Sequence, residues 1–434
     1  MFKWKNHTAD IQEMEMDLRH VLPDEELWKQ YMKELRKEYR KVSSPETGIV
    51  QISYYEKQMD SFGAKVLLTN VLSRFMDTCC PLCPIEIDRK QQKILPLDLS
   101  PESVTYLLYS TRLAILQTDK TVKEWLLQYF INIKLFYNES YFNYYFFDEE
   151  LEQVLGLEEI SYSDVSEEES ILVYTKKKLD KGIYVNVHLD EFYLSEKDNF
   201  ERRHYVHENL IYGYDDNKKI LYAYGFTRNQ KIDAFSLSYE EFLLAFEKGK
   251  LFFFCGAGYL EKEYPWPVML CWIKKQPEYQ FTIQKFAEKI REYIAPDESE
   301  MVQGDYHVYG MNVCQKVVEG LKSEEGIPVD FRTFQLLYEQ KECILRRARY
   351  LEERYHQEKE WEQFFNDYKE IRDGYQRIRL VYLKQLMEEG KTGQINQTIT
   401  DDKLSLIIAG RLEVLLKKER NVLEGLLQII NRII

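Results

Sequence analysis

Residues 203–216 read R-H-Y-V-H-E-N-L-I-Y-G-Y-D-D, and this stretch constrains the fold more than any other. A histidine opens a run that alternates and then turns apolar. Gly213 and Tyr214 follow, and then the turn pair Asp215-Asp216. Residues 219–226 return as a second apolar run. The pattern predicts an antiparallel hairpin that sets one imidazole, His207, at the start of a strand.

Composition limits what can surround this hairpin. A chain of 434 residues is too long for one simple core and predicts two or three domains. The net charge of −14 argues against a nucleic-acid binder, which needs clustered Lys and Arg, and suits anionic membranes poorly. The opening M-F-K-W-K-N-H lacks the apolar segment of a secretory leader, and the apolar run 251–260 is half the length of a membrane span. Seven scattered cysteines read as free thiols, so a cytoplasmic location is expected.

Pattern divides the chain into three regions. Residues 1–90 read as helical and charged, 91–275 as mixed helix and strand, and 276–434 as helices. The acidic stretch 148–169 reads as a solvated surface or linker. Within the middle region, 101–117 and 122–135 carry helical apolar spacing. Strands are predicted at 171–174, 182–189, 206–214, 220–226 and 251–255. A helix over 238–248 is predicted from Ser238 as its cap and Glu241 at the capping-box position. Helices first and an antiparallel sheet after give an α+β fold. In the last region Phe334, Leu337, Ile344, Ala348, Leu351 and Tyr355 form a stripe interrupted only by Lys341. Two similar stripes follow, Ile371–Tyr375–Ile378–Tyr382 and Ile408–Leu412–Leu415–Val422–Leu426–Ile429, and predict a helical bundle or helices laid on the sheet domain.

Residues 184–246 resemble the N-terminal domain family of the butirosin-biosynthesis acyltransferase, whose fold is similar to papain-like cysteine peptidases. The resemblance rests on V-x-V-H-L-D-E-F-Y-L at 185–194, on H-x5-G-Y-D-D at 207–216, on the return strand and on the helix at 238–246. Residues 94–97, I-L-P-L, look like the family's start. The resemblance implies transfer of an acyl or aminoacyl group from a carrier protein to a small-molecule amine in specialised-metabolite assembly. It implies that His207 is the catalytic histidine and that Asp190 is the aspartate of the preceding strand. Where the family has its cysteine nucleophile, near 102–106, this chain has Ser103 and Thr105. Where an acidic or amide partner is expected on the return strand, it has Gly225.

The chemistry tolerates these substitutions. A thioester is already activated, so an amine can attack it directly if a base accepts its proton and donors hold the oxyanion. His207 has the right unperturbed pKa for that base. Asp190 or Glu208 is available to orient it, although strand alternation points Glu208 the other way. The alternative reading is a catalytically degenerate scaffold that binds a carrier protein or peptide.

Upstream, Asp60-Ser61-Phe62 precedes apolar positions at Val66, Leu67, Leu68, Val71, Leu72 and Phe75. This looks like the attachment region of acyl or peptidyl carrier proteins. Ser61 at a helix N-terminus is therefore a candidate for 4′-phosphopantetheine, although Asp-Ser before an amphipathic helix is also an ordinary cap. The C-x-x-C at Cys80–Cys83 has no second ligand pair, so no metal is expected. His188 reads as a core or pairing residue, and His204 as facing solvent.

Overall fold

The computed structural model describes residues 2–3, 8–9 and 92–434, except 130, 138–141, 147–150, 162–164, 166–169, 229–230, 255–266, 275–280, 297–299, 303–304, 324–326, 356–357 and 392–397. Ser61, Cys80, Cys83 and the carrier-like segment lie outside the described residues, as do 148–150, 162–164 and 166–169 of the acidic stretch. Its residues 151–160 form a short helix and a strand, with Leu151, Val154, Leu155 and Ile160 buried rather than solvated.

In chain order, the strands β1 (Phe2–Lys3), β2 (Thr8–Ala9) and β3 (Gln92–Ile94) come first. Helices α1 (Leu107–Leu116) and α2 (Lys120–Tyr129) follow, then β4 (Ile133–Tyr137), β5 (Phe142–Phe146), α3 (Leu151–Val154), β6 (Leu155–Ile160) and α4 (Ile171–Asp180). Next are β7 (Tyr184–Asp190), β8 (Val206–Asp215), β9 (Ile220–Phe226), β10 (Ile232–Ser238), α5 (Tyr239–Phe254) and β11 (Val268–Ile273). The chain ends with α6 (Ile283–Ile294), β12 (Glu300–Val302), β13 (Asp305–Tyr309), α7 (Met311–Lys322), α8 (Phe331–Tyr355), α9 (Glu358–Glu388) and α10 (Asp402–Ile433). No described helix is long and apolar enough to cross a membrane.

The fold is α+β, as the sequence predicts, and it forms two compact units. Unit 1 comprises Met1–Leu99 and Gly156–Trp272, and unit 2 comprises Ser100–Leu155 and Ile273–Ile434. The pattern reading put residues 100–155 in the middle region, 91–275, whereas in the structure they group with the C-terminal helices.

Unit 1 is built on a sheet ordered β10–β9–β8–β7–β11–β6, with β3 also beside β8. The pairings of β8 with β7, β9 and β3 are antiparallel, as are β9–β10 and β7–β11. The predicted hairpin is β8–β9. Asp215 caps its turn by accepting from the amides of Asn217 and Lys218 at 2.9 and 3.1 Å. Gly213 is required where it stands: a Cβ there would lie 2.7 Å from the Lys93 carbonyl of β3. Val185, Val187, Leu189, Leu210, Ile211 and Leu221 are buried, and each such side chain is worth about 1.5–3 kcal/mol of burial. Helix α5 packs on β7. Its start is the predicted capping box: Glu241 accepts from the Ser238 amide at 2.8 Å, and Ser238 Oγ accepts from the Glu241 amide at 3.1 Å.

Unit 2 contains a second sheet, β12–β13–β4–β5, and the long helices α8, α9 and α10. The predicted stripe residues Phe334, Leu337, Ile344, Ala348 and Leu351 are all buried. The charge that interrupts them is not an exception to burial. Lys341 is fully buried and pairs with the equally buried Glu419 of α10 at 2.8 Å. Lys341 also donates to Tyr293 Oη and to Gln340 Oε1 at 2.8 and 2.6 Å. Glu419 further accepts from the hydroxyls of Tyr293, Tyr368 and Tyr375 at 3.3, 2.9 and 3.2 Å. The three protons of the ammonium and both oxygens of the carboxylate have partners, which is what a buried ion pair needs to be tolerated.

Three predicted elements differ. Residues 171–174, read as a strand, begin helix α4, because Ser170 Oγ accepts from the Val173 amide and caps a first turn. The helical spacing at 122–135 ends with α2 at Tyr129, and Ile133 and Leu135 belong to β4. The apolar run at 251–255 continues α5 as far as Phe254 rather than forming a strand; short apolar runs do not distinguish the two by pattern.

Candidate functional site

The polar residues of unit 1 gather where β7 and β8 pair. Leu189 lies opposite His207, His188 opposite Glu208, and Asp190 opposite Val206. Side chains alternate between faces along a strand, so His207 and Asn209 share one face while Asp190, His188 and Glu208 share the other.

On the His207 face, a short 3₁₀ turn over Glu191–Tyr193 follows β7 and brings the Glu191 carboxylate 3.7 Å from His207 Nδ1. Lys197 is buried beside them, 3.9 Å from the same carboxylate. Its ammonium donates to Asn209 Oδ1 at 2.5 Å and to the Phe226 carbonyl. It also lies 4.5 Å from the centre of the Phe235 ring. Asn209 in turn donates to the His207 carbonyl at 2.9 Å, and Asn199 donates to Glu191 Oε2 at 2.5 Å. Tyr205 stacks on the imidazole and Phe226 tilts against it, each with ring centres 5.5 Å away.

The imidazole presents two different edges. Nδ1 is shielded and makes no hydrogen bond, while the side chain as a whole keeps 20% of its surface exposed. The exposed part is therefore the rest of the side chain. Burial, then the positive charge of Lys197, then His188 push the pKa of His207 down to about 3, so the ring is uncharged at neutral pH. Burial also lowers Lys197 to about 8 against the attraction of Glu191. Glu191 is raised above the usual carboxylate range by burial, against the attraction of Lys197. A pKa of about 3 makes the imidazole a weak proton acceptor at neutral pH, whereas Lys197, lowered to about 8, lies nearer the range in which proton transfer is efficient.

The sequence-predicted residues are distributed differently from the expected grouping. Asp190 does not orient His207. Its Oδ2 is 2.7 Å from Nδ1 of His204, and its Oδ1 accepts from the amides of Phe192 and Tyr205, both at 3.2 Å. His204, expected at the surface, is 2% exposed and stacks on Phe192. Glu208 takes the opposite face, as alternation predicts, and accepts from Asn186 at 2.7 Å. His188 is buried, in keeping with a core role.

Ser103 belongs to unit 2. It is buried there, donating to Glu339 Oε2 at 2.7 Å, and Thr105 donates to the same oxygen at 2.7 Å. The Glu339 carboxylate also accepts from the amides of Val104 and Thr105, so it ties down the segment ahead of α1. The Ser103 hydroxyl is a donor to a carboxylate in a structural turn, and no nucleophile role follows from that arrangement. At Gly225 the missing side chain makes room: a Cβ there would lie 3.2 Å from Asn209 Oδ1 and 3.6 Å from Lys197 Nζ. The place expected to hold a partner for His207 is filled by this amide and ammonium.

Sequence reasoning missed Glu191, Lys197, Asn199 and Asn209. Parity was the available signal for Glu191 and Asn209, since both are two residues from a position on the His207 face. Lys197 and Asn199 lie in a turn-rich segment with no periodicity to place them. Among the described residues, no group of three or more His, Cys, Asp or Glu is positioned to hold a metal ion.

No protein-family model matches the chain. No curated protein is significantly similar to it.

Proposed function

We propose that the His207 face of unit 1 transfers an acyl or aminoacyl group from a carrier-bound thioester to a small-molecule amine, without a covalent intermediate on the protein. The observation that carries the reading is geometric: the His207 side chain is partly exposed and the Glu191 carboxylate lies 3.7 Å from its Nδ1. The amine nitrogen attacks the thioester carbonyl, a C–N bond forms and the C–S bond breaks. The amine's proton passes to His207 and then to the departing thiolate. The papain-like relationship of unit 1, its likeness to the butirosin-biosynthesis family and a phosphopantetheine arm on Ser61 are parts of this proposal.

With a carrier thioester and an amine as substrates, His207→Ala abolishes amide formation while the far-ultraviolet circular dichroism is unchanged. Unaltered turnover ends the base assignment. Incubation with coenzyme A and a phosphopantetheinyl transferase adds the mass of one arm to the intact chain, and Ser61→Ala prevents it. A folded sample with no mass gain removes the carrier segment from the proposal.

A second reading has its own support. Ser103 is bound to Glu339 and Asp190 to His204, which fits a degenerate scaffold that binds a carrier protein or peptide. That reading gains if His207→Ala retains carrier binding and the wild-type protein forms no amide.

A further inference from the structure

The helices α9 and α10 of unit 2 run antiparallel: Gly374 meets Leu415, while Tyr382, further along α9, meets Ile399 just ahead of α10. Between them lies a groove of about 560 Å³. Two glycines shape it. At Gly374 the absent Cβ lets Leu415 close in, since a Cβ would lie 2.6 Å from Leu415 Cδ2. At Gly410 a Cβ would meet nothing within 4 Å, so that position is open. Ile378, Ile407, Val414 and Leu415 make the lining apolar. Val414 is 69% exposed and Ile407 42% exposed, one heptad apart on α10.

Arg377 on α9 and Arg411 on α10 stand in the two walls, and both are exposed. Four other cations of the same unit have carboxylate partners on another helix. Lys418 pairs with Glu370, Lys322 with Glu413, Arg432 with Glu360 and Arg372 with Glu342. Among the described residues, Arg377 and Arg411 have none. In a chain of net charge −14, unpaired arginines on both walls of an apolar seam select an occupant with apolar residues on one stripe and carboxylates on both flanks. Two antiparallel helices accept a third in this way, with anchors spaced i, i+3/i+4 and i+7. The flanking charges then act as the e and g positions of a coiled coil do.

We infer that the α9–α10 groove is a docking site for an acidic amphipathic helix of a partner protein. The inference is independent of the acyl-transfer reading, which concerns unit 1.

The test uses the full chain and two fluorescent 21-residue peptides. Both carry leucine at a and d; one has glutamate at e and g, the other lysine. In fluorescence anisotropy the glutamate peptide binds saturably and more weakly as salt is raised, and the lysine peptide does not bind. The double variant Arg377→Glu/Arg411→Glu lowers affinity for the glutamate peptide at least tenfold and gains affinity for the lysine peptide. Val414→Asp, at an exposed position, lowers affinity for the glutamate peptide with the fold intact by circular dichroism. The inference is overturned if neither peptide binds, if both bind equally, or if the variants bind as the wild type does. A dimer in sedimentation velocity that these variants abolish gives the groove to a second copy and also overturns it. So does arginine-dependent co-sedimentation with phosphatidylglycerol vesicles.

Discussion

Leu189 faces His207 across β7 and β8, and that single register decides which acid the imidazole meets. Residue 191 falls on the imidazole's side and residue 190 on the other, so neighbouring carboxylates serve different histidines. Lys197 then sets the protonation of the site. Replacing it by Met removes the cause second to burial of the low His207 pKa, so the His207 ring signals in nuclear magnetic resonance titrate at a higher pH in Lys197→Met than in the wild type. A ring that still titrates near 3 shows that burial acts alone. The same depression has a stability signature. The folded-state pKa of about 3 lies below the ordinary value of 6.5. As acid is added through that window the unfolded chain takes up a proton that the folded chain refuses, and stability falls. Glu191 acts in the opposite sense, because its pKa is raised in the folded state. Denaturant melts of the wild type and His207→Gln at pH 7 and pH 4.5 isolate the histidine: the variant loses less stability on acidification.

Each helix is legible to the extent that its apolar stripe or its cap is local. The capping box at Ser238 and Glu241, the hairpin turn at Asp215 and the stripe from Phe334 to Leu351 are all written in neighbouring residues. What was not legible depends on distant partners. Lys341 reads as a break in a stripe until Glu419 is placed beside it, and Ser103 reads as a nucleophile candidate until Glu339 is. Strand parity would have favoured Glu191 over Asp190, but the register on which parity rests is a tertiary fact. The glycines of α9 and α10 differ in the space beside them. Gly425 has open space where a Cβ would stand, so Gly425→Ala stabilises unit 2 by about 0.5–1 kcal/mol through helix propensity. Gly374→Ala puts a methyl against the end of the Leu415 side chain, which must turn away, so it stabilises less than Gly425→Ala does. Urea melts followed by circular dichroism measure the difference.

At the scale of the whole chain, unit 1 takes most of its residues from one excursion out of unit 2, between Leu155 and Ile273. The excursion starts and finishes at one place, because the Lys274 amide donates to the Val154 carbonyl at 2.8 Å. Residues 100–155 joined to 273–434 by a short Gly-Ser linker therefore fold as unit 2 alone, with strong helical circular dichroism and one cooperative thermal transition. A chain that melts gradually, or stays largely unstructured, shows that unit 2 depends on the excised residues. Pattern reading placed its boundaries where composition changes, at 90 and 275; the chain passes between units in the irregular segment after Leu99, at the start of β6 and at the end of β11.

The Lys341–Glu419 pair also orders events in time. A nascent chain that has reached α8 carries a lysine and, at Tyr293, a hydroxyl whose anionic partner has not yet been translated. Those groups stay hydrated until the final helix leaves the ribosome. Unit 1 has all its residues by then, so the core of unit 2 closes after unit 1 is able to fold.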